Sequence, residues 1–457
     1  MAEREYDVVV IGAGPAGEVC AGRLGERGAE VAIVERHLIG GECSFYACMP
    51  SKALLRPQEV LAEVARIPGA AEAVTGALDV EATLARRDEV IHDLDDSGMV
   101  PWLEERGVAL VRGEARISGE RRVEVGEDVL VARKAVVVAV GTKPAIPPID
   151  GLREIEPWTN EEATVAKEVP GSLVVLGGGV VGVELAQAFR SLGSDVVLVE
   201  ALPRLIAREE EFAGELVEEA LRERGVEVRT GTKAVAARRE NGAVSLDLEG
   251  GDTLEADQLL VAVGRRPATE DLGLDAVGLE PGEYIEVDEA LRSTRVDWLY
   301  AIGDVNGRAL LTHMGKYQAR LAADAILGDD VAIDPAADGA LSPRVVFTDP
   351  QVAAVGHTER SALEAGLRVR SVEVSTSGNA GGSFYGRNAP GRTRLVVDED
   401  RRVLVGATFT GADVADFLHA ATIAVVGEVP LERLWHSIPS FPTRSELWLR
   451  ALEEYGL

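Results

Sequence analysis

The sequence has few cysteines and a shortage of positive charge. Its 457 residues include three Cys, an odd and small number that excludes an extracellular scaffold held together by disulfides. Lys and Arg total 47 against 77 Asp and Glu, which gives a formal net charge of -30 at pH 7. This balance argues against a protein that binds nucleic acid or an anionic lipid surface, because phosphate contacts need a surplus of Lys and Arg.

Long hydrophobic runs are also missing. No uninterrupted apolar stretch approaches the roughly 18 residues that a membrane span requires. The first five residues contain two Glu and one Arg, and an apolar strand pattern follows at once. This is not the pattern of a secretory signal peptide. We therefore expect a cytoplasmic protein of about three domains, in which any Cys pair serves chemistry rather than structure.

A strand, a glycine-rich turn, a helix and a second strand occur in the same order twice. In the first copy the strands are predicted at residues 6–11 and 31–34 and the helix at 18–27, and in the second the strands are at 172–176 and 196–199 and the helix at 183–192. The glycines of the turns are Gly12, Gly14, Gly17 and Gly177, Gly179, Gly182. The second strand is followed by Glu35 in one copy and by Glu200 in the other, 23 residues after the first glycine in both.

This spacing is typical of dinucleotide-binding units. The first glycine permits the tight turn, the second lets the backbone approach a pyrophosphate, and the third lets the helix pack on the strand. The phosphates then lie at a helix N-terminus, where free N–H groups favour anions. Glu35 and Glu200 would each hold a ribose diol, so two units predict two dinucleotides bound by one chain.

The rest of the chain predicts a mixed α/β arrangement. Between the two units, helices are expected at residues 51–64 and 80–105, followed by strands at 108–117, 122–125 and 129–140. Later strands are expected at 259–263 and 298–302. From residue 344 the order changes to strands at 345–347, 394–397 and 404–409 with a helix at 412–426, which indicates a separate α+β domain. Residues 329–343 are the expected connection.

Two of the three cysteines, Cys43 and Cys48, lie close together in a C-x4-C spacing. Pro50 and Ser51 predict the opening of a helix, so Cys48 would lie at a helix N-terminus, which stabilises a thiolate. A zinc site would need further Cys or His ligands nearby, and the segment has none. Two buried cysteines that only pack remain an alternative that the spacing does not exclude.

Lys52 follows this pair, and the composition draws attention to it. The chain has six Lys against 41 Arg, so an ordinary surface cation would usually be Arg. A compact ammonium at a tuned site is a reason to use Lys instead.

Nearly the whole chain resembles the FAD-dependent pyridine nucleotide–disulfide oxidoreductases. The resemblance rests on the two glycine-rich units, the C-x4-C-x-P-S-K segment, and the motifs at 140–142, 264–267, 301–304, 346–350 and 442–446. It implies two Rossmann-like dinucleotide-binding domains, for FAD and for NAD(P), and a C-terminal α+β dimerisation domain. The implied boundaries are 1–148 and 267–338 for the FAD-binding part, 149–266 for the NAD(P)-binding domain and 339–457 for the dimerisation domain.

The resemblance also implies roles. Electrons would pass from NAD(P)H through FAD to a Cys43–Cys48 disulfide and then to a small-molecule acceptor, with Cys48 facing the flavin and Cys43 meeting the acceptor. Lys52 would lie by the flavin and pair with Glu184, and Asp304 would hold the ribityl chain. The remaining implied cofactor residues are Gly113, Gly141, Thr142, Gly264, Leu311, Thr312 and His313. A homodimer that shares its active site across the interface is implied, and no metal.

One position departs from the family pattern. The disulfide-reducing members have a His before the Pro-Thr pair, matched with a downstream Glu that corresponds to Glu446, and here that position is Phe441. Phe cannot move a proton, and positioned acid–base help is worth about 10²–10⁴-fold. A soluble transhydrogenase, or a quinone or metal diaphorase in which electrons leave from the flavin, is therefore the alternative. His436 is the nearest candidate for a replacement base, although an interface role is favoured.

Three further residues carry smaller expectations. Glu200 favours an unphosphorylated ribose and hence NADH, although Arg204 nearby would tolerate a 2′-phosphate, so NADPH remains possible. Cys20 lies on the first predicted helix among small residues, where packing is the better explanation.

Overall fold

The computed structural model describes residues 3–387 and 389–457. In chain order the strands are β1 Glu3–Ile11, β2 Val31–Glu35, β3 Val108–Arg112, β4 Ala115–Gly119, β5 Arg122–Val125, β6 Asp128–Val138, β7 Thr142–Pro144, β8 Ser172–Leu176, β9 Asp195–Val199, β10 Glu227–Arg229, β11 Ala234–Glu240, β12 Ala243–Leu248, β13 Thr253–Ala256, β14 Gln258–Val261, β15 Arg265–Pro267, β16 Leu299–Ala301, β17 Arg344–Val346, β18 Gln351–Gly356, β19 Val369–Ser375, β20 Arg392–Asp398 and β21 Val403–Gly411.

The α-helices are interspersed with these strands, and the last three of them follow β21. They are α1 Pro15–Glu26, α2 Gly41–Phe45, α3 Cys48–Arg66, α4 Val80–Val90, α5 Val100–Glu104, α6 Asn160–Val165, α7 Val180–Ser191, α8 Glu211–Glu223, α9 Thr312–Ile326, α10 Glu359–Glu364, α11 Leu418–Val426, α12 Leu431–Leu434 and α13 Glu446–Tyr455. Short 3₁₀ turns occur between them, among them Gly303–Asn306 and Val414–Phe417. None of the helices in the described ranges is long and apolar enough to cross a membrane.

The chain divides into two compact units. The first comprises Met1–Pro50, Asp88–Ala145 and Arg265–Gly339, and the second comprises Ser51–Arg87, Ile146–Gly264 and Ala340–Leu457. The domain boundaries that the resemblance implies are not settled by this division and stay a prediction.

The first unit is built on a sheet with the order β3-β2-β1-β6-β5-β4, with β16 also paired to β6. Strands β1, β2, β3, β6 and β16 pair in parallel, and β4 and β5 add an antiparallel hairpin edge. The parallel strands are buried runs of β-branched residues, as expected for a sheet covered on both faces. Helices α1 and α9 contribute to the hydrophobic core of this unit.

The described residues of the second unit form three sheets. The parallel sheet β10-β9-β8-β14 repeats the arrangement of β3-β2-β1 with β6, and a three-stranded antiparallel sheet β11-β12-β13 lies within the same part of the chain. The C-terminal part forms the antiparallel sheet β17-β18-β21-β20-β19. The predicted α/β class with a C-terminal α+β portion is therefore confirmed.

The two glycine turns share one geometry. An ideal Cβ on Gly17 would lie 1.8 Å from the carbonyl oxygen of Gly12, and one on Gly182 would lie 1.8 Å from that of Gly177. Gly12 and Gly177 have φ of 99° and 114°, in the left-handed region that favours glycine. The third glycine therefore allows the helix to pack directly on its own turn in both copies.

Several predicted elements have different bounds. The helix expected at 80–105 is broken after Val90, because His92, Asp93 and Leu94 adopt φ of 50°, 51° and 62°, which no α-helix contains. The stretch is rich in Asp, and the Asp95 carboxylate accepts from the backbone N–H of Ser97 at 2.9 Å, a local bond that competes with the helix.

Other differences have simpler causes. The strand expected at 108–117 is divided at Gly113, whose φ is 147°. The helix expected at 412–426 begins at Leu418, after a 3₁₀ turn. Helices α1 and α7 each begin three residues earlier than predicted, at Pro15 and Val180; Pro15 is preorganised for a first helical position.

Candidate active site

The first glycine turn is held by a buried carboxylate. Glu35, at the end of β2 and 9% exposed, accepts hydrogen bonds from the backbone N–H of Ala13 and of His37, both at 2.7 Å. Helix α1 begins at Pro15 without a side-chain cap, and a Cβ on Gly14 would meet no atom within 4 Å. The open space above uncapped N–H groups fits the pyrophosphate of a dinucleotide.

The second glycine turn repeats this arrangement atom for atom. Glu200 accepts from the backbone N–H of Gly178 at 2.5 Å and of Leu202 at 2.6 Å. Helix α7 likewise has no side-chain cap, and a Cβ on Gly179 would meet nothing within 4 Å. The second unit therefore presents the same kind of nucleotide site.

Arg204, the residue that would tolerate a 2′-phosphate, is engaged elsewhere. Its guanidinium donates to the backbone oxygens of Ala207 at 2.7 Å and Glu209 at 3.1 Å. The side chain is therefore folded onto its own loop.

In the first unit, close packing of small residues draws several segments to the first glycine turn. A Cβ on Gly41 would lie 2.8 Å from Cα of Gly14, so the cysteine segment abuts the turn. Ideal Cβ atoms on Gly303 and Gly315 would lie 3.2 and 3.3 Å from the Cβ of Ala16. The starts of α1, α9 and the Gly303–Asn306 turn thus meet at one place.

The two cysteines lie at this place. Cys43 is in the short helix α2 and Cys48 begins α3, as the expected helix opening at Pro50 and Ser51 implied. Both are thiols in this structure. The hydroxyl of Thr312 lies 3.1 Å from Sγ of Cys43 and 3.4 Å from Sγ of Cys48. One hydroxyl therefore contacts both sulfurs.

The electrostatics of the thiols differ. A hydrogen bond with Cys48 and then burial raise the pKa of the Cys43 thiol, whereas the Thr312 hydroxyl and the charge of Lys316 lower it, with a net upward shift. Cys20 is fully buried in α1, and burial raises its pKa to about 12. Cys20 is thus an inert core residue, in keeping with the packing role expected for it.

In the second unit, Lys52 and Glu184 form an ion pair with Nζ to Oε2 at 2.7 Å. Glu184 is 3% exposed, and its other oxygen accepts from the backbone N–H of Phe347 at 2.9 Å. The Lys52 ammonium also lies 4.8 Å from the centre of the Phe347 ring. Both carboxylate oxygens of Glu184 therefore have partners, and two contacts hold the Lys52 ammonium in place.

A chain of polar contacts in the first unit joins the far end of the site to the cysteines. Thr142 donates from Oγ1 to Asp304 at 2.8 Å and accepts from Arg265 at 2.6 Å. Arg265 pairs with Glu42, with Nη1 to Oε1 at 2.9 Å, and Glu42 directly precedes Cys43. Burial raises the pKa of Asp304, while Thr142 and Arg265 act in the opposite direction.

The other residues expected at the cofactor sites lie at turns and element ends. Gly113 follows β3 and donates its N–H to the Glu35 carbonyl at 3.0 Å, and Gly141 accepts from the N–H of Ala268 at 3.1 Å. Leu311 precedes α9, His313 is exposed in its first turn, and Gly264, with φ of 147°, precedes β15.

The position at which the family resemblance implies a His is highly exposed in the single chain. Phe441 is 75% exposed and Ile438 is 79% exposed. Glu446 begins α13, and its Oε2 is buried without a hydrogen-bond partner among the described residues. His436 is exposed on the segment after α12.

Sequence reasoning missed the contacts that three residues make in the site. Phe347 binds both members of the Lys52–Glu184 pair, and Glu42 and Arg265 link Asp304 to the cysteine segment. The only signal for Glu42 was its place beside Cys43. Arg265 and Phe347 lie far away in the sequence, so their contacts are products of the fold.

Comparison with known proteins gives consistent results. Residues 6–324 match the family model described as pyridine nucleotide-disulphide oxidoreductase, and residues 342–452 match the dimerisation domain of the same family. A dihydrolipoyl dehydrogenase of Thermus scotoductus is 34% identical over 98% of this chain and 97% of its own length. A mercuric reductase of Staphylococcus aureus is 32% identical over 97% of this chain and 81% of its own length.

Solved structures show the same fold. The HOCl-induced flavoprotein disulfide reductase RclA of Escherichia coli superposes with a TM-score of 0.85 at 25% identity, covering 98% of this chain and 99% of that one. LpdA of Mycobacterium tuberculosis has a TM-score of 0.86 at 23% identity, with both chains fully covered (100%).

Proposed function

We propose that Cys43 and Cys48 form the redox-active pair of this protein. The chain belongs to the pyridine nucleotide–disulphide oxidoreductase family and is an NAD(P)H-dependent flavoprotein oxidoreductase. The observation that carries the proposal is the placing of both thiols against each other and against Thr312, beside the first glycine turn. Two buried cysteines that only pack would not share a hydroxyl at a nucleotide site.

The residues of the first unit fit FAD. Its pyrophosphate would lie over Gly12, Gly14 and Gly17, its adenosine ribose by Glu35, and its ribityl chain by Asp304, the partly buried carboxylate that accepts from Thr142. Bound FAD would supply the two-electron link between the nicotinamide nucleotide and the cysteine pair. We also propose the domain boundaries that the family resemblance implies: residues 1–148 and 267–338 for the FAD-binding part, 149–266 for the NAD(P)-binding domain and 339–457 for the dimerisation domain.

The chain's own residues then perform the exchange. The Cys43 thiolate attacks one sulfur of an acceptor disulfide, forms a mixed disulfide and releases one thiolate. Cys48 next attacks Cys43 and closes the Cys43–Cys48 disulfide, releasing the second thiolate. Each released thiolate takes one proton, and two electrons pass from the dithiol to the acceptor.

We also propose a catalytic role for the Lys52–Glu184 pair of the second unit, as the family resemblance implies. The charge of Lys52 is directed by Glu184 and by the Phe347 ring. A fixed ammonium of this kind stabilises negative charge that develops nearby during electron transfer.

We propose NADH rather than NADPH as the electron donor. Glu200 is poised to accept hydrogen bonds from a ribose diol and would repel a 2′-phosphate. Arg204, the residue that would favour the phosphate, donates instead to the backbone oxygens of Ala207 and Glu209. We expect Glu200→Ala to reduce the preference for NADH over NADPH. A wild-type kcat/KM that is higher with NADPH than with NADH contradicts this part of the proposal.

A second candidate function is favoured by Phe441. With no proton acceptor at this position, electrons would leave from the flavin to a quinone, a metal ion or another nucleotide, and the cysteine pair would be regulatory. A homodimer, which the dimerisation domain supports, would bring Phe441 of one subunit to Cys43 of the other.

One set of variants separates the two functions. We expect Cys43→Ser to abolish reduction of disulfide acceptors and to leave reduction of quinones and dyes by NADH within about twofold of wild type. Cys20→Ser is the matched control, since it removes a thiol outside the site. If Cys43→Ser loses no activity with any acceptor in a broad screen, the second function is correct.

A further inference from the structure

Helices α1 and α9 of the first unit run side by side in the same direction. Their starts touch where Gly315 approaches Ala16, with an ideal Cβ of Gly315 at 3.3 Å from the Ala16 Cβ. Farther along, Arg23 pairs with Asp324 at 2.7 Å. This register places Glu18, two residues after Ala16, beside Lys316, one residue after Gly315.

Lys316 also belongs to the face of α9 that meets the cysteines. It lies four residues after Thr312, so both side chains are on one face of the helix, one turn apart. Because the Thr312 hydroxyl donates to Sγ of Cys43 at 3.1 Å, the next turn on that face carries the ammonium toward the same thiol. Its charge lowers the pKa of Cys43 against the opposing effects of Cys48 and burial.

Glu18 is an acidic residue of α1 on which the charge of Lys316 acts. Its carboxylate is largely buried, and its Oε2 has no hydrogen-bond partner in the described part of the chain. Burial raises the pKa of Glu18, and the charge of Lys316 acts in the opposite direction. The charge of Lys316 therefore acts on two acidic groups, Glu18 and Cys43.

The remaining charges near Cys43 do not replace this ammonium. Glu42, the preceding residue, is anionic and is neutralised by Arg265. Cys48 contributes the second thiol. The composition supports a specific use of Lys316, since it is one of six Lys in a chain with 41 Arg, and a cation with only a surface role would usually be Arg here.

We propose that Lys316 is a positioning residue that holds Cys43 as the attacking thiolate, in place of the base that Phe441 cannot provide. This inference rests on the proposed exchange at Cys43. The ammonium stabilises the thiolate by charge, and removal of the thiol proton before the attack therefore costs less free energy. The protons taken up by the released thiolates come from solvent.

The test is the pH dependence of Cys43 alkylation in the NADH-reduced holoenzyme. Iodoacetamide is the probe, and the Cys43 and Cys48 adducts are counted separately by mass spectrometry. We expect Lys316→Met to raise the midpoint of Cys43 alkylation by about one pH unit, the lower end of the shift that a nearby opposite charge produces, which slows the reaction about 10-fold below the midpoint. Lys316→Arg keeps the charge and should retain most of the wild-type rate.

The matched control is Arg320→Met. Arg320 is an exposed cation one turn farther along α9, and its guanidinium donates to the Lys316 carbonyl at 3.2 Å. This variant should leave the alkylation midpoint unchanged. Bound FAD is measured in every variant, so that a folding defect is seen directly.

Two outcomes overturn the inference. One is a Lys316→Met midpoint equal to that of wild type in protein that retains FAD, and the other is a Lys316→Arg midpoint as high as that of Lys316→Met. A separate measurement tests the proposed function: if Cys43→Ser still reduces disulfides, the proposed exchange at Cys43 is wrong. An unchanged midpoint together with loss of disulfide reduction in Cys43→Ser rejects Lys316 alone.

Discussion

On the proposed function, Phe441 would limit what the cysteine pair can do. Its side chain is an exposed hydrocarbon at the position where the family resemblance implies an acid–base group, and the buried Oε2 of Glu446 has no hydrogen-bond partner among the described residues. The rest of the thiol environment is complete, with Thr312 on both sulfurs and Lys316 in the next turn. On the proposed function, the chain would thus combine a formed thiol centre with a hydrocarbon where the resemblance implies the proton carrier.

Replacing Phe441→His is the direct test of this defect. We expect faster reduction of lipoamide or glutathione disulfide, by up to about 10²–10⁴-fold, with little change in quinone reduction. The gain will be smaller where the surrounding residues do not orient the imidazole. Steady-state kinetics with both classes of acceptor measure it, and His436→Ala is the control. Wild-type lipoamide turnover of about 10–10³ per second contradicts the expectation and points to another base.

The three thiols should differ sharply in reactivity. Burial raises the pKa of Cys20 to about 12, so it is protonated and inaccessible at pH 8, while Cys43 and Cys48 lie in the site. We expect a thiol reagent to count two groups in native, NADH-reduced enzyme and three in denaturant. A native count of three at the same rate contradicts the assignment of Cys20 to the core.

At the scale of elements, the two glycine turns allow a matched comparison. Gly17→Ala and Gly182→Ala each place a Cβ 1.8 Å from a backbone oxygen of their own turn, and neither backbone can yield without moving a helix. We expect both to destabilise their unit by about 3 kcal/mol. Gly17→Ala should lose FAD, whereas Gly182→Ala should keep FAD and raise KM for NADH.

The second glycine of the turn separates folding from binding. A Cβ on Gly14 meets nothing within 4 Å in the chain, and its φ of -69° suits any residue. Gly14→Ala should therefore melt within about 1 kcal/mol of the wild-type apoprotein and yet bind FAD more weakly. Thermal unfolding and released flavin, measured on the same samples, distinguish the two effects. Equal FAD content in Gly14→Ala and wild type contradicts the placement of the pyrophosphate.

Sequence reasoning found the elements whose signal is local. The strands beside Gly12 and Gly177 and the helix after Cys48 follow from hydrophobic runs, glycine and proline, which act over a few residues. It failed between Val90 and Val100, where Asp side chains bind the backbone and outweigh helix propensity. It also missed strands such as β18 and β19, whose pairing partners lie far along the chain.

The site divides along the same line. Lys52 and Glu184 are 132 residues apart, and their pairing was expected only from the family resemblance. The contacts of Arg265 with Glu42 and of Phe347 with Glu184 depend on how distant segments are folded together. No periodicity or spacing records such contacts.

At the scale of the whole molecule, the exposed apolar side chains around Phe441 indicate how the enzyme assembles. Ile438 and Phe441 are 79% and 75% exposed, and both lie within residues 342–452, which match the dimerisation domain. Side chains of this size are usually covered at an interface between permanent partners. We expect the enzyme to sediment as a homodimer of about 97 kDa, twice the 48.5 kDa of one chain.

Charge introduced at this surface should separate the subunits. Ile438→Glu would bury a carboxylate in the interface, and we expect its dimer to dissociate at micromolar concentration while bound FAD is retained. Val235→Glu is the matched control, because Val235 is 50% exposed and lies outside the dimerisation domain. If the active site is shared, disulfide reduction falls in step with the dimer fraction seen by sedimentation, and quinone reduction does not. A monomeric wild type, or an Ile438→Glu protein as dimeric as Val235→Glu, contradicts this role for the surface.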